Sequence, residues 1–175
     1  MTENRLTLDT PEAIYFYEND FYPFSNFSAF NLKWHGLTFM TSEHAYHWEK
    51  FQGLSSMRSA VASAIWAAPS AHEAFKIANR ERARRIPNWD DVKFGIMRDI
   101  LRAKAEQHEY VRHKLIQSGD RVLVEHSWRD DVWGWGPNRD GQNMLGKLWM
   151  EVRAEYRNTA EGLSPDTASG EGKKP

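Results

Sequence analysis

The chain has no cysteine among its 175 residues, which excludes a disulfide framework, a thiolate nucleophile and a sulfur-ligated metal. This fits a reducing, cytoplasmic setting. No apolar run approaches the ~20 residues needed to cross a bilayer, so no membrane partner is expected. The opening Met1-Thr2-Glu3-Asn4-Arg5 lacks the basic and apolar blocks of a secretion signal. An excess of either charge is also missing, since 23 Lys and Arg stand against 24 Asp and Glu. That balance excludes a globally basic nucleic-acid binder. It leaves one local basic cluster, Arg80, Arg82, Arg84 and Arg85, and points to small anionic ligands.

Aromatic residues are plentiful. Eight tryptophans are present, and Trp34, Trp128, Trp133 and Trp135 fall in stretches that read as strand ends or loops. A loop indole often offers a flat face to a ligand. Residues 1–12 read as loose and 159–175 as a flexible tail rich in Gly, Ser, Pro and charge, leaving one domain over 13–158.

Within that domain Ala13–Tyr17 alternates like a strand, and Phe24-Ser25-Asn26-Phe27 reads as a turn with two buried rings. Leu32–Trp34 and Leu37–Met40 around His35-Gly36 predict a hairpin. Helical periodicity follows over Met57–Ala68, Ser70–Ile86, Trp89–Ala105 and Glu109–Gln117, with Ser70 and Glu73 at capping-box spacing and Pro87 as a stop. The apolar run Val122-Leu123-Val124 predicts a buried strand, and Asn143 is placed to cap a last helix with Leu145, Leu148, Trp149, Val152 and Tyr156 on its apolar stripe. The expected fold is α+β, a mostly helical single domain with a small sheet surrounded by helices.

Two stretches concentrate chemistry. Thr41-Ser42-Glu43-His44-Ala45-Tyr46-His47-Trp48-Glu49-Lys50 opens a helix in which Glu43, Tyr46 or His47, and Lys50 share one stripe, while Ala45, Trp48 and Phe51 or Gln52 face the core. A carboxylate and an ammonium then face one cleft, although Glu and Lys on a helix also form ordinary solvated pairs. His44 and His47 lack a third ligand and the His-Glu-x-x-His pattern, so no metal is expected. The second stretch, Arg129-Asp130-Asp131-Val132-Trp133-Gly134-Trp135-Gly136, lies between a strand and a helix N-terminus, where free amides can hold an anion and glycines let backbone approach a ligand. Its plainer reading is a turn capped by Asp130 with Trp133 plugging the core.

Together these stretches resemble the YbiA-like, or NADAR, family over roughly residues 14–156. The resemblance runs through Phe24-Ser25-Asn26-Phe27, Thr41-Ser42-Glu43-His44, Lys50-Phe51, Trp89–Lys93 with Met97, and Leu101 with Ala103-Lys104. It continues through Glu125, Asp130, Trp133-Gly134, Gly136, Gly141-Gln142-Asn143, Leu145-Gly146-Lys147 and Arg153. It implies hydrolysis of an N-glycosidic bond, either in phosphoribosylamino intermediates of riboflavin biosynthesis or, in other members, between ADP-ribose and guanine bases. The implied partner is a phosphoribosyl or ADP-ribosyl small molecule, with nucleic acid entering only as a modified substrate, and no cofactor. Carried over by position, Glu43, Lys50 and Asp130 are the catalytic candidates, and Trp133, Asn26, His44, Gly134 and Asn143 the substrate-binding ones. Two positions depart from the family pattern: Trp135 stands where many relatives have an acid, and Ala105 where an aromatic is common.

The residue types suit such a reaction. Breaking a ribosyl C–N bond builds positive charge on the sugar and negative charge on the departing nitrogen, calling for a carboxylate near one and a proton source near the other. Glu43 is assigned to the oxocarbenium-like carbon or to the attacking water, and Asp130 to the ribose hydroxyls or to proton transfer. Lys50 can hold Glu43 ionised, bind phosphate or donate a proton. A nucleotide-binding module without turnover, or a scaffold docking through its Trp loop, are the alternatives.

Overall fold

The computed structural model describes residues 9–17, 22–53 and 55–161. Most of the loose N-terminus and C-terminal tail expected from sequence lies outside them. Within them, Asp9 and Thr10 are already tied to the backbone of Tyr15 and Ala13, and the last helix continues to Glu161.

The order is β1 (Ala13–Phe16), β2 (Leu32–Trp34), β3 (Leu37–Phe39), α1 (Ser42–Glu49), α2 (Ser56–Trp66), α3 (Ala71–Arg80), α4 (Trp89–Gln107), α5 (Glu109–Gln117), β4 (Val122–Glu125) and α6 (Met144–Glu161). The sheet is two separate pairs rather than one. β1 runs parallel to β4, pairing Ala13 with Val122 through Phe16 with Glu125, and β2 and β3 form the antiparallel hairpin, with Leu32 opposite Phe39. The hairpin turns at His35-Gly36, both at positive φ.

The long helix α4 organises the core. It contacts α1, α5, α6 and β2, and its Trp89, Met97, Ile100 and Leu101 are buried with Ile14, Phe16, Phe24, Leu32, Phe39 and Trp149. A second cluster of Phe51, Val61, Ala62, Ile65, Ala74 and Ala78 joins α1, α2 and α3, whose small side chains allow close approach, and Trp48 touches both clusters.

Several expectations need correction. The helix expected over Ser70–Ile86 stops at Arg80 and tightens into a turn at Arg82–Arg84 before Pro87. Ser70 does cap it, accepting from the Glu73 amide. Of the two rings in the Phe24–Phe27 turn only that of Phe24 is buried, Phe27 being 41% exposed. The inward position falls to Ser28, which shares a buried knot with Lys104. The ammonium of Lys104, fully buried, donates to the carbonyls of Pro23 and Ser25 and to Ser28 Oγ at 2.6–3.0 Å, pinning the turn from inside.

Asn143 does not cap α6. With φ of +51° it turns its amide back onto β4, accepting from the Glu125 N–H at 2.9 Å and donating to the Leu123 carbonyl at 2.8 Å. The first amides of α6 are taken instead by loop carbonyls, Met144 by Val132 and Leu145 by Trp133. The expected anion seat at that helix end is therefore occupied by the protein's own backbone.

Candidate active site

Helix α1 carries the first set of groups. Thr41, extended at φ −151°, accepts the His44 N–H and starts the helix, placing Glu43 in the first turn where the helix dipole favours a carboxylate. The sequence pattern predicts one core-facing stripe, but Ser42 through His47 are all buried, so α1 is packed on every side. The Glu43 N–H donates to the Asn26 carbonyl at 3.0 Å, which ties Glu43 to the turn that Lys104 holds. Its Oε1 receives a 2.6 Å hydrogen bond from His47 Nε2.

Burial works against the charge of Glu43, yet His47 and then Lys50 outweigh it and hold the carboxyl below its ordinary value. Burial in turn depresses His47, the carboxylate only partly compensating. In this pair Glu43 is the ionised acceptor of the His47 hydrogen bond, and the other ring nitrogen of His47, Nδ1, is buried without a partner. His44 is committed elsewhere. Its Nε2–H donates to the Ala68 carbonyl at 3.1 Å and its Nδ1 meets the Thr41 hydroxyl at 2.8 Å, so it locks α1 to the end of α2 and has no ring nitrogen left for a ligand.

Lys50 follows one turn later. Its Nζ lies 4.7 Å from the Tyr46 ring centre and 5.6 Å from that of Trp89, a cation held over aromatic faces. Burial pushes its pKa down to about 8, with Glu43 opposing and Arg85, Arg82 and Lys93 reinforcing the shift.

The loop after β4 brings the second set. Asp130 Oδ1 accepts the amides of Val132 and Trp133 at 2.9 and 2.7 Å, so one carboxylate oxygen caps the turn that presents Trp133. Trp133 is half-buried, with its ring edge-on to Tyr46 at 5.3 Å and to Phe94 at 5.4 Å. This ring contact joins the two stretches. The glycines of the loop serve packing: a Cβ on Gly134 would come within 2.8 Å of the Ser127 side chain, so Gly134 lets the loop fold back on β4 rather than opening it to a ligand. Trp135 packs beside Tyr15 and His126. Asn26 is buried, its Nδ2 reaching Met97 Sδ at 3.4 Å while its Oδ1 finds no partner.

A third carboxyl, Glu125, completes the cluster. It closes β4 beside Phe16, is 8% exposed, and its Oε2 is buried without a hydrogen bond. Burial raises its pKa to about 8, with the charges of Glu43 and Asp130 adding and Lys104 opposing, so it holds a proton at neutral pH. The charges of Glu43 and Asp130 bear on Tyr46 as well, so the three carboxyl groups share one electrostatic environment.

Sequence reading placed Glu43, Lys50, Asp130 and Trp133 together, and the structure brings these four to one region. Among the other expected binding residues, His44, Gly134 and Asn143 are engaged by the protein itself. The sequence sets Tyr46 or His47 on the Glu43–Lys50 stripe and carries Glu125 and Trp89 only as points of family resemblance, without giving any of the four a role at the site. The i, i+4 spacing of Glu43 and His47 was a visible signal, as was an acid ending an apolar strand at Glu125. Among the described residues no group of three or more His, Asp or Glu is placed to hold a metal, and no helix is long and apolar enough to cross a membrane.

An environment that keeps one buried carboxyl ionised and another protonated is a division of labour suited to acid–base chemistry at a glycosidic bond. Comparison with known proteins agrees. The NADAR domain family matches residues 15–157. The N-glycosidase Npun_R5314 of Nostoc punctiforme is 38% identical over 148 residues, spanning 83% of this chain and 94% of that protein. The N-glycosidase YbiA of Escherichia coli is 37% identical over 150 residues, 84% of this chain and 89% of that one. Its NMR structure superposes with a TM-score of 0.75 at 34% identity, covering 95% of this chain and 96% of that one. The riboflavin biosynthesis protein VVA0006 of Vibrio vulnificus is 32% identical over 85% of this chain and 40% of its own length. By domain, sequence and fold, this chain belongs to the NADAR family, beside relatives named N-glycosidases, hydrolases of N-glycosyl bonds.

Proposed function

We propose that this protein hydrolyses the C–N glycosidic bond of a phosphoribosylamino compound. What carries the reading is the gathering of the buried carboxyls Glu43 and Glu125 with Asp130 and Lys50 around the Tyr46–Trp133 contact, Glu43 held below and Glu125 raised above the ordinary carboxylate range. Relatives named N-glycosidases, and one named for riboflavin biosynthesis, support it.

Trp133 stacks on the heterocycle, a contact worth roughly 1–3 kcal/mol in nucleic-acid systems. Glu43, oriented by His47, faces the anomeric carbon and takes a proton from the attacking water as its oxygen bonds to that carbon. The C–N bond breaks with its electron pair moving to nitrogen. Glu125 supplies the proton that neutralises the leaving amine, and Lys50, close to its own titration point, is the second candidate donor. Asp130, with Oδ1 spent on its turn, orients ribose hydroxyls through the other oxygen.

The test is to incubate purified protein with a phosphoribosylaminopyrimidine and, separately, with ADP-ribosylated guanine, measuring released ribose 5-phosphate or ADP-ribose. Turnover of the first is expected. Glu43→Gln is expected to lower kcat by about 10²–10⁴-fold with ligand binding retained. Turnover of the guanine adduct alone would move the assignment to ADP-ribosyl hydrolysis, and inactivity toward both would overturn the enzymatic reading.

A further inference from the structure

A surface cavity of about 610 Å³ opens beside Lys50, walled by Arg80, Arg82, Arg85 and Ile86. It adjoins the cluster just described through the backbone, because the Ile86 N–H donates to the Lys50 carbonyl at 2.8 Å. It also adjoins it through side chains. Arg85 and Lys93 both pair with Asp90, and the Lys93 ammonium lies 5.1 Å from the Phe94 ring, which packs on Trp133. A chain of contacts, Arg85–Asp90–Lys93–Phe94–Trp133, therefore links the arginine wall to the indole.

The charges on that wall are unbalanced. Residues 80–85 hold Arg80, Arg82, Arg84 and Arg85 against a single acid, Glu81, which pairs with Arg80 and Arg84. Asp90 serves both Arg85 and Lys93. Arg82 is exposed and makes no salt bridge among the described residues. Arg82, Arg85 and Lys93 all act on the charge of Lys50, so four cations converge with too few acids to match them. Like charges gathered at a surface repel one another, and an anion relieves the repulsion.

We propose that the arginine-walled cavity beside Lys50, through Arg82 and Arg85 with Lys93 at its edge, seats the phosphate carried by the ribose of the substrate. The proposal rests on the N-glycosidase reading for the identity of the sugar. In this arrangement the heterocycle sits on Trp133 and the phosphate on the Arg85 side, which the Asp90 bridge to Lys93 and the Phe94–Trp133 contact connect to the indole. The shared ligand chemistry is a phosphate ester on ribose, supplied either by a phosphoribosylamine or by the diphosphate of an ADP-ribosyl group. Guanidinium forks suit both.

The experiment titrates the full chain with ribose 5-phosphate, ADP-ribose and unphosphorylated ribose, following backbone amide resonances, for wild type, Arg82→Gln and Arg82→Gln/Arg85→Gln. The single variant leaves the Arg85–Asp90 pair intact and guards against a folding defect. At least one phosphorylated ligand is expected to bind and shift the amides of Arg82, Arg85 and Ile86, with ribose much weaker. Affinity is expected to fall about 10- to 100-fold in the double variant, as for loss of charge-assisted hydrogen bonds. Tighter binding of ribose 5-phosphate or of ADP-ribose identifies which source is seated, and either supports the subsite. Affinities unchanged by both variants, or no binding of either ligand, overturn it. Turnover separates the two ideas: an active enzyme whose KM ignores these arginines loses only the subsite, whereas a wild type inactive on both N-glycosides loses the hydrolase reading while the titration still decides the cavity.

Discussion

At the scale of single residues, Glu125 is a buried carboxyl with one oxygen unpaired, held protonated where an exposed carboxyl would ionise. In the unfolded chain its carboxyl ionises in the ordinary range near 4.5, whereas the folded protein keeps the proton to about 8. Between those values the native state binds one proton more than the unfolded state, so this residue's contribution to stability is full below the ordinary carboxylate range and declines as pH rises to about 8. Glu125→Gln keeps the shape and removes the titration. The variant is expected to match wild type near pH 4.5 and to exceed it at pH 8 by on the order of several kcal/mol. Urea unfolding of both proteins at the two pH values checks this, and an unchanged difference between them would show that Glu125 is ionised in the native state. Lys50 and Lys104, with pKa values pushed down to about 8 and about 7, act in the opposite sense as pH rises above those values; the comparison cancels Lys50, whereas Lys104 loses in the variant the charge of Glu125 that props it up. The same variant is expected to slow turnover, so stability and activity move in opposite directions at one carboxyl.

At the scale of elements, the helices, the hairpin and the strand ending at Glu125 were legible because their signals are local: apolar spacing, the Ser70 cap, the His35-Gly36 turn. The segment between β4 and α6 was not. Its glycines and Asn143 look like ligand-contact features, but the glycines let the loop fold on itself and on β4, and Asn143, with Gly146 just beyond it, serves the close approach of the α6 start to β4. A Cβ on Gly146 would overlap the Leu123 carbonyl oxygen and crowd the Asn143 amide. Gly146→Ala must therefore push α6 off β4, and is expected to cost about 1–3 kcal/mol, or more if the Asn143 bridge breaks. A methyl added at Gly95, inside α4, would meet nothing within 4 Å, and Gly95→Ala is expected to stabilise by about 0.5–1 kcal/mol. Thermal unfolding of the two variants measures both. Equal effects would mean that α6 does not rest on β4 as closely as the structure places it.

At the scale of the whole molecule, the site depends on α1 being enclosed by both packing clusters while the β4 loop closes over it at Tyr46 and Trp133. No local period encodes that meeting. The resemblance to a family brought Glu43, Asp130 and Trp133 together, whereas the burial that separates the protonation states of Glu43 and Glu125 is a property of the packed interior and invisible in a linear pattern. The consequence is a pH–rate profile belonging to the assembly. Turnover needs Glu43 ionised and a proton donor still loaded, so kcat/KM is expected to fall at low pH as Glu43, held below its ordinary value, is protonated. It is expected to fall again above about 8, where both Glu125 and Lys50 lose their protons. Because those two groups titrate together, the wild-type profile cannot name the donor, and the apparent values describe the coupled set. The variants separate them. If Glu125 is the acid, Glu125→Gln leaves a low, residual rate without the same alkaline limb, while Lys50→Met retains the limb and changes mainly KM; the reverse pattern, measured as kcat/KM from pH 4 to 10 for all three proteins, would transfer the proton to Lys50 and leave Glu125 as the neutral neighbour that keeps Glu43 company without repelling it.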